Sequence, residues 1–343
     1  MHPGPSKPFR KLGELAILAE LRARAARSAN PRAAVSLGIG DDCALLRLRP
    51  GEQLAVTTDL SIAGRHFQLN WHPPEVIGHR TLARGLSDLA AMGARPVAAF
   101  LSLGLPRPLT ADWLHRFLDG FLSLAEAYST PLAGGDLSEA PIAIADIVLA
   151  GAVRRGKALL RSGARPGDLI YVTGSLGGAA AGLERLRQLA PTLSPARSSR
   201  SQPPRIPAQL KRSLAPHLCP RPRIAQGLWL ARKPVATAAI DLSDGLSTDL
   251  AHLCRESSIA AEINAAALPI HPRATLDQAL HGGEDYELLF TAPPSARLPH
   301  SIAQLPVTCI GRMLPLRAGR PQITLVTARR SRQLKPRGWQ HFS

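Results

Sequence analysis

The sequence has few cysteines and lacks a long apolar run. Its four cysteines, Cys43, Cys219, Cys254 and Cys309, form neither a Cys-x-x-Cys pair nor a cluster with histidine. This spacing argues against a zinc site, and we expect reduced thiols in the core. No apolar stretch is long enough to cross a bilayer, and residues 1–10 hold prolines and charges where a signal peptide has an apolar core. The sequence therefore predicts a cytoplasmic protein without a membrane partner.

Acidic residues are missing from two long stretches of a chain whose formal net charge is +17. No Asp or Glu occurs in residues 185–240, and none occurs in residues 288–343. A basic chain can bind nucleic acid through its phosphates. Because the excess charge lies in a linker and a tail, without a recognition motif, we expect no nucleic-acid partner. A noncatalytic nucleic-acid-binding protein is the alternative from another functional class.

Length and residue periodicity predict two domains. A chain of 343 residues exceeds the size at which a single core usually stops growing. We expect the first domain to span residues 1–155 and the second residues 156–343. Patterns of apolar and turn residues in the first domain predict helices at 9–27, 75–92 and 111–128 and strands at 43–48, 53–58, 97–105 and 141–153. Strands that alternate with helices in this way predict an α/β architecture.

The second domain is predicted to repeat a strand-to-helix step. A strand at 169–173 leads through the glycine-containing segment 174–178 into a helix, and a similar step occupies residues 238–255. Between them, residues 190–216 are rich in Ser, Pro and Arg. Such a composition buries little apolar surface, so we predict a flexible insertion there.

Aspartates recur in short Gly, Ser or Thr contexts at the ends of apolar runs. These aspartates are Asp41 and Asp42, Asp59, Asp88, Asp136, and Asp241 with Asp244. Clustered carboxylates repel each other unless a cation neutralises them, and magnesium takes one or two carboxylates together with waters and substrate phosphates. The pattern therefore predicts several magnesium ions. Helix capping or turn formation explains any one of these motifs, but explains the whole set poorly.

Three further features are candidates for ligand contacts. A sharp turn within residues 282–287 could present Glu284 to a ligand, although a hairpin or strand entry also fits. His66 and Arg161 are candidate anion contacts, with a structural role as the alternative. Residues 151–158 match the spacing Gly-x-x-x-x-Gly-Lys, but Ala158 stands where Ser or Thr would bind magnesium. A phosphate loop is therefore not expected, and another device must hold ATP if ATP binds.

Taken in order, the motifs resemble the thiamine-monophosphate kinase family. The motifs that carry the resemblance are Gly38-Ile39-Gly40-Asp41-Asp42, Thr57-Thr58-Asp59, Ser87-Asp88-Leu89-Ala90-Ala91-Met92-Gly93-Ala94, Gly134-Gly135-Asp136, Asp241-Leu242-Ser243-Asp244-Gly245 and Gly282-Gly283-Glu284-Asp285-Tyr286-Glu287. The resemblance implies an α/β (α+β) fold of the aminoimidazole ribonucleotide synthetase-like type, whose N-terminal sheet domain pairs in a homodimer and carries ATP. It also implies transfer of the γ-phosphoryl group of ATP to thiamine monophosphate, giving thiamine diphosphate for thiamine diphosphate biosynthesis.

The resemblance implies a role for individual residues as well. The implied magnesium ligands are Asp42, Thr57, Thr58, Asp59, Asp88, Asp136, Asp241 and Asp244. The implied ATP contacts are Gly135, Asp136, Arg161 and Ser243. The implied contacts to thiamine phosphate are His66, Glu284 and Trp339. No catalytic base is expected, because the acceptor is already an anionic phosphate oxygen, and in-line transfer assisted by several Mg²⁺ ions is implied.

The sequence departs from the family pattern at a few positions. Arg84-Gly85 stands where an apolar residue and Asn usually precede the Leu-Ser-Asp motif, and Leu137 replaces the usual Thr. A sister ATP-dependent synthetase of the same superfamily would share the aspartates and is the nearest alternative. Selenophosphate synthetase, however, requires a reactive Cys near a basic, Gly-rich N-terminus, which this sequence lacks.

Overall fold

A computed structural model describes residues 14–27, 34–193, 204–328 and 330–339. The chain forms two compact units, each assembled from separate segments. The first unit takes the described residues of Met1–Gly85, Pro96–Ala152 and Leu186–Arg212, and the second takes those of Leu86–Arg95, Val153–Arg185 and Ser213–Ser343. The domain boundary at residue 155 stays a prediction. Within the described ranges, no helix combines the length and apolar character that a membrane span requires.

The first unit is built on a four-stranded sheet flanked by helices. The elements up to Arg154 are α1 Glu14–Arg27, β1 Val35–Leu37, β2 Leu45–Leu46, β3 Glu52–Ile62, α2 Pro74–Ala91, β4 Arg95–Leu105, α3 Ala111–Ala127, β5 Leu132–Glu139 and β6 Ile144–Arg154. The sheet has the order β3-β6-β4-β5, and β1 pairs with β2 separately. Helices α2 and α3 approach closely, since a Cβ at Gly78 would lie 1.9 Å from the carbonyl oxygen of Phe117.

The second unit is built on an eight-stranded, mostly antiparallel sheet. The remaining elements of the chain are β7 Leu169–Thr173, α4 Gly178–Leu193, α5 Ala208–Leu218, α6 Ile224–Arg232, β8 Ala238–Asp241, α7 Leu246–Glu256, β9 Ala260–Asn264, α8 Leu276–His281, β10 Leu288–Ala292, β11 Ser301–Ile302, β12 Leu305–Leu314, β13 Ile323–Val326 and β14 Ser331–Gln333. Helices α4 and α5 each contribute residues to both units. The sheet order is β14-β13-β9-β12-β7-β10-β8, with β11 paired to β12. Fully buried side chains such as Ile170, Val172 and Leu250 form its core. The two units together confirm the predicted mixed α and β fold class.

Several predicted elements are confirmed with small shifts. The strand at 169–173 and the helix beginning at residue 111 occur as predicted, as β7 and α3. The strand predicted at 43–48 shortens to Leu45–Leu46, and residues 9–13 of the first predicted helix lie outside the described residues. Strand β5 was not predicted. It contains Gly134-Gly135-Asp136, and these residue types have low strand propensity, so the pairing with β4 forms the strand against local preference.

The flexible insertion predicted at 190–216 requires correction at its edges. Residues 190–193 complete α4, and residues 208–216 lie in α5, while residues 194–203 fall outside the described part of the chain. The prediction used the average composition of the segment and so missed the apolar face of α5, where Leu214 and Leu218 are buried.

The expectation of core thiols is confirmed only for Cys254. Cys43, Cys219 and Cys309 are exposed, and none of the three forms a disulfide with another described residue. In β12, Cys309 directly precedes the buried Ile310, so its side chain points to the opposite face of the sheet.

Candidate active site

An open pocket of about 360 Å³ lies in the first unit. Acidic and glycine residues from two predicted motifs line it together with apolar side chains. The lining comprises Leu21, Gly38–Ala44, Phe100, Leu101, Leu103 and Leu132–Leu137. The pocket thus brings Asp41, Asp42 and Asp136 to one surface.

Gly135 allows Asp136 to reach this pocket. Strands β4 and β5 run parallel, with Leu101 opposite Gly135 and Ser102 opposite Asp136. Gly135 has φ +148°, and a Cβ there would lie 1.9 Å from the carbonyl oxygen of Leu101. Only glycine therefore permits this approach of the two strands, and the exposed Asp136 follows directly.

The pocket carboxylates accept hydrogen bonds from adjacent backbone groups. Asp136 Oδ1 accepts from the amide of Leu137 at 2.8 Å, and Asp41 Oδ1 accepts from the amide of Asp42 at 2.9 Å. Asp41, Asp42 and Asp136 are all exposed. Carboxylates that are exposed and oriented by a local contact are well placed to bind a cation from solution.

On strand β3, the three predicted metal ligands do not share a face. Thr57 and Asp59 alternate with the exposed Thr58, as the period of a strand requires. Asp59 forms an ion pair with Arg84 of α2, whose Nη2 lies 3.2 Å from Asp59 Oδ1. The sequence analysis did not predict this partner of Asp59.

In the second unit, the loop after β8 is shaped by a buried acid that the sequence analysis missed. Asp249 of α7 accepts hydrogen bonds from the amides of Asp244 at 3.1 Å and Gly245 at 2.9 Å. Burial raises the pKa of Asp249 well above its ordinary value, and the charges of Asp241 and Asp244 raise it further. The available sequence signal was an acid between Leu246 and Leu250 on the buried face of a helix.

Asp241 is buried at the end of β8, with 2% of its surface exposed. Its Oδ2 accepts a hydrogen bond of 2.7 Å from Ser87 Oγ. Since Ser87 directly precedes Asp88, this bond brings the Ser87-Asp88 motif and the Asp241–Gly245 loop together within the second unit. Three predicted magnesium ligands, Asp88, Asp241 and Asp244, therefore belong to this unit.

The sharp turn predicted around Glu284 is confirmed. Glu284 and Tyr286 have φ values of +68° and +51°. The amide of Glu284 donates to the carbonyl of Ser243 at 2.8 Å, which fixes the turn against the loop after β8. The Glu284 carboxylate lies 3.6 Å from Nδ1 of His217, a histidine whose side chain is 2% exposed.

The other two acids of this motif serve the framework. Asp285 accepts hydrogen bonds from the amides of Gly177 and Ala179 at the start of α4, and burial raises its pKa to about 7. Glu287 pairs through both oxygens with Arg223 at 2.7 and 2.5 Å and accepts from Thr173 Oγ1 at 2.6 Å. Of the three acids, Glu284 thus has a side chain that is 26% exposed and that lies beside a histidine instead of the start of a helix or a partly buried arginine.

Trp339 lies at the same loop. Its amide donates to the carbonyl of Asp244 at 3.1 Å, and its side chain is 44% exposed. A Cβ at the preceding Gly338 would lie 2.1 Å from that carbonyl oxygen. Two predicted substrate contacts, Glu284 and Trp339, therefore border the segment Ser243-Asp244.

The remaining predicted contacts are separated between the units. His66 belongs to the first unit, where its Nδ1 accepts from the amide of Ile62 at 3.0 Å. Arg161 and Ser243 belong to the second unit. Arg161 is exposed, and its carbonyl accepts a hydrogen bond of 2.9 Å from Ser257 Oγ.

The three pocket acids, Asp41, Asp42 and Asp136, offer the oxygen ligands that magnesium prefers. Among the residues that the structure describes, no three His, Cys, Asp or Glu side chains are arranged to hold a metal by themselves. Magnesium is usually held by one or two carboxylates with waters and substrate phosphates. Asp41, Asp42 and Asp136 along one pocket supply oxygen ligands of this kind, so the residues fit magnesium that is bound jointly with a nucleotide.

Comparisons with known proteins agree with this geometry. Residues 40–153 match the family model "AIR synthase related protein, N-terminal domain", which assigns this segment of the chain to the AIR synthase related class. The chain is 41% identical over 313 residues to the thiamine-monophosphate kinase of Escherichia coli (strain K12), covering 88% of this chain and 90% of that protein. The chain therefore belongs to the thiamine-monophosphate kinase family.

Solved structures of similar proteins lead to the same family. The crystal structure of thiamine-monophosphate kinase from Stenotrophomonas maltophilia K279a has a TM-score of 0.77 at 39% identity, covering 91% of this chain and 96% of that chain. A structure of AaThiL complexed with AMPPCP and TMP has a TM-score of 0.72 at 28% identity, covering 98% of this chain and 99% of that chain.

Proposed function

We propose that this chain is a cytoplasmic enzyme that transfers the γ-phosphoryl group of ATP to thiamine monophosphate, forming thiamine diphosphate. The observation that carries the proposal is 41% identity to a thiamine-monophosphate kinase over 88% of the chain. The pocket carboxylates Asp41, Asp42 and Asp136 support it, because a site for two polyanions requires bound cations. The kinase reaction thus uses the acidic motifs that the sequence presents in its Gly, Ser and Thr contexts.

The chemical difficulty is repulsion between ATP and the acceptor phosphate, since the attacking oxygen is already anionic and no general base is needed. Magnesium, when bound, supplies charge neutralisation between the phosphates and favours in-line transfer. In this proposal the chain orients the cations through the predicted ligands, and Gly135, Arg161 and Ser243 position ATP. The ligands are Asp42, Thr57, Thr58, Asp59, Asp88, Asp136, Asp241 and Asp244.

Glu284 and Trp339 are proposed to bind the organic part of thiamine monophosphate. Both residues border Ser243-Asp244, so a carboxylate and an exposed indole lie at one loop. A flat, positively charged heterocycle suits this pair, because the indole can stack on its face and the carboxylate can neutralise its charge.

His66 is proposed to contact the phosphate of thiamine monophosphate. Its Nδ1 accepts a hydrogen bond from the amide of Ile62, so the proton of a neutral ring resides on Nε2. An Nε2–H group is a donor, and a phosphate oxygen is an acceptor. The local backbone therefore selects the tautomer that phosphate binding requires.

A homodimer is proposed through strand β3. This strand lies at the edge of the four-stranded sheet, and its outward side chains Leu54, Val56 and Leu60 are 50%, 58% and 45% exposed. An apolar edge strand of this kind favours pairing with another chain. Sedimentation should therefore give a dimer that Val56→Lys weakens, whereas a monomeric wild type would contradict this part of the proposal.

The activity is tested by incubating the protein with ATP, magnesium and thiamine monophosphate and separating the products by chromatography. We expect thiamine diphosphate, and free thiamine offered in parallel should remain unphosphorylated. Asp42→Asn and Asp244→Asn should each lower turnover by about 100-fold or more, in the range seen when a charge-stabilising group is removed. Asp112→Asn, which changes an exposed aspartate of α3, is the matched control and should retain turnover.

A folded wild type that forms no thiamine diphosphate would refute the proposed activity. If Asp42→Asn or Asp244→Asn turned over normally, that residue would be removed from the metal site. Thermal unfolding of each variant separates a loss of turnover from a loss of folding.

A further inference from the structure

Arg84 forms an ion pair with Asp59, which is one of the proposed magnesium ligands of the first unit. From helix α2, its Nη2 and Nε atoms lie 3.2 and 3.3 Å from the same oxygen, Oδ1 of Asp59 on β3. The two side chains are partly buried, 18% exposed for Arg84 and 24% for Asp59. The guanidinium thus lies where a metal bound to this oxygen would need space.

Close packing of α2 on the sheet brings Arg84 within reach of Asp59. At the next residue, Gly85, a Cβ would lie 2.9 Å from the Cδ1 atoms of Ile147 and Leu149 of β6. Strand β6 is the neighbour of β3 in the sheet. The absence of a side chain at Gly85 therefore allows the helix to lie close to β6, and Arg84 extends to the adjacent strand.

The surroundings of Arg84 add further positive or donor groups. A small pocket is lined by Arg84 together with Arg80 and His66, and by the hydroxyl-bearing Ser61 and Thr81. Arg80 is 6% exposed. Arg80 thus adds a second guanidinium to the pocket that Arg84 lines, and its positive charge disfavours the approach of a divalent cation to this side of Arg84.

We propose that Arg84 is a built-in counter-ion of Asp59 that competes with magnesium for this carboxylate. The inference rests on the proposed function, because it takes Asp59 as a metal ligand. If magnesium binds Oδ1 of Asp59 directly, the metal takes the place of the guanidinium on that oxygen, so the ion pair must break first. A partly exposed ion pair contributes up to about 1 kcal/mol, so its loss weakens metal binding by about fivefold. Arg84 thereby raises the metal concentration that the first unit needs.

The test measures metal binding directly, with Mn²⁺ as a paramagnetic probe and a nonhydrolysable ATP analogue present. Electron paramagnetic resonance of free Mn²⁺ gives the affinity and the number of bound ions for the full chain. Arg84→Met should tighten the weakest class of Mn²⁺ about fivefold, and Asp59→Asn should abolish that class. In the Asp59→Asn background, Arg84→Met should have no effect.

Arg116→Met is the matched control. It removes an arginine that pairs through two nitrogens with Glu75, which lies on the same helix as Arg84. This control should leave Mn²⁺ affinity unchanged. If Arg84→Met fails to fold, Arg84→Gln provides the same comparison with a neutral polar side chain.

The outcomes separate the inference from the proposed function. If Arg84→Met is folded and binds Mn²⁺ no more tightly than the wild type, the ion pair is structural only and the inference is wrong. If the wild type binds no Mn²⁺ in the presence of the nucleotide analogue, the proposed metal-dependent function fails instead. If Arg116→Met also bound Mn²⁺ more tightly, the increase in affinity would follow from the loss of any positive charge. The specific role of Arg84 would then be wrong.

Discussion

Asp136 in the first unit and Glu287 in the second are both acids of glycine-containing motifs, yet their surroundings differ. Asp136 is exposed, and its carboxylate accepts from the amide of the next residue. Glu287 is 3% exposed and is held by Arg223 and Thr173, which lie far away in the sequence. An identical functional group is therefore exposed at a pocket in one region and buried in the framework in the other.

This contrast teaches that motif membership alone does not define a residue's role. Within residues 284–287, Glu284 is partly exposed beside His217, whereas the half-buried Asp285 and the buried Glu287 are hydrogen-bonded to the framework. The number of partners from distant elements separates the two kinds of acid. Substitutions that remove those partners should therefore affect stability in one case and substrate binding in the other.

The largest expected effect concerns the buried pair of Arg223 and Glu287. Arg223→Met leaves the Glu287 carboxylate buried without its cation, which should lower the free energy of unfolding by about 3–5 kcal/mol. Arg107→Met, which breaks the exposed pair with Glu139, should change it by about 1 kcal/mol or less. Urea denaturation followed by circular dichroism measures both, and equal losses would break the distinction between the two kinds of acid.

An intermediate effect is expected at His217. His217→Gln removes the imidazole beside Glu284, so the carboxylate that is proposed to bind thiamine monophosphate loses this neighbour. We expect KM for thiamine monophosphate to rise about tenfold, which corresponds to about 1.4 kcal/mol, while kcat changes little. His115→Gln, which alters a half-exposed histidine paired with Glu20, should leave KM unchanged and is the control. An unchanged KM in His217→Gln would show that Glu284 needs no such positioning.

A third prediction concerns the pH dependence of stability through Asp285. Its pKa in the folded chain is raised from 3.8 to about 7, so the folded state binds this proton more tightly than the unfolded state. The resulting stabilisation is present below pH 3.8 and is lost as the pH rises to about 7. The free energy of unfolding of the wild type, relative to Asp285→Asn, should therefore fall across that range. A constant difference from pH 4 to pH 8 would indicate that burial does not hold the proton.

Much of the fold could be predicted from local patterns. The strand Leu169–Thr173, the helix from Ala111 and the sharp turn at Glu284 follow from apolar periodicity and glycine placement. Strand β5 could not be predicted, because its Gly134-Gly135-Asp136 segment is stabilised by pairing with β4 and disfavoured by local propensity. Sequence patterns describe neighbours along the chain, whereas this strand depends on a neighbour in space.

The candidate site shows the same division. The aspartate motifs could be identified from the sequence as candidate metal ligands, and three of their acids, Asp41, Asp42 and Asp136, line one pocket. The contacts of Asp59 with Arg84 and of Asp241 with Ser87 could not be predicted, because they join residues 25 and 154 positions apart. Such contacts require the folded topology, which a single sequence does not specify.

The start of α4 illustrates how a protein can fill its own anion site. Unpaired amides at the beginning of a helix attract phosphate groups in many nucleotide-binding proteins, and the glycines before α4 suggest such a cradle. Here the side chain of Asp285 already accepts from the amides of Gly177 and Ala179. An incoming phosphate would have to expel this carboxylate from a buried position. The glycine-rich segment before α4 therefore binds the Asp285 side chain and so connects the start of α4 to residues 282–287, which lie far away in the sequence.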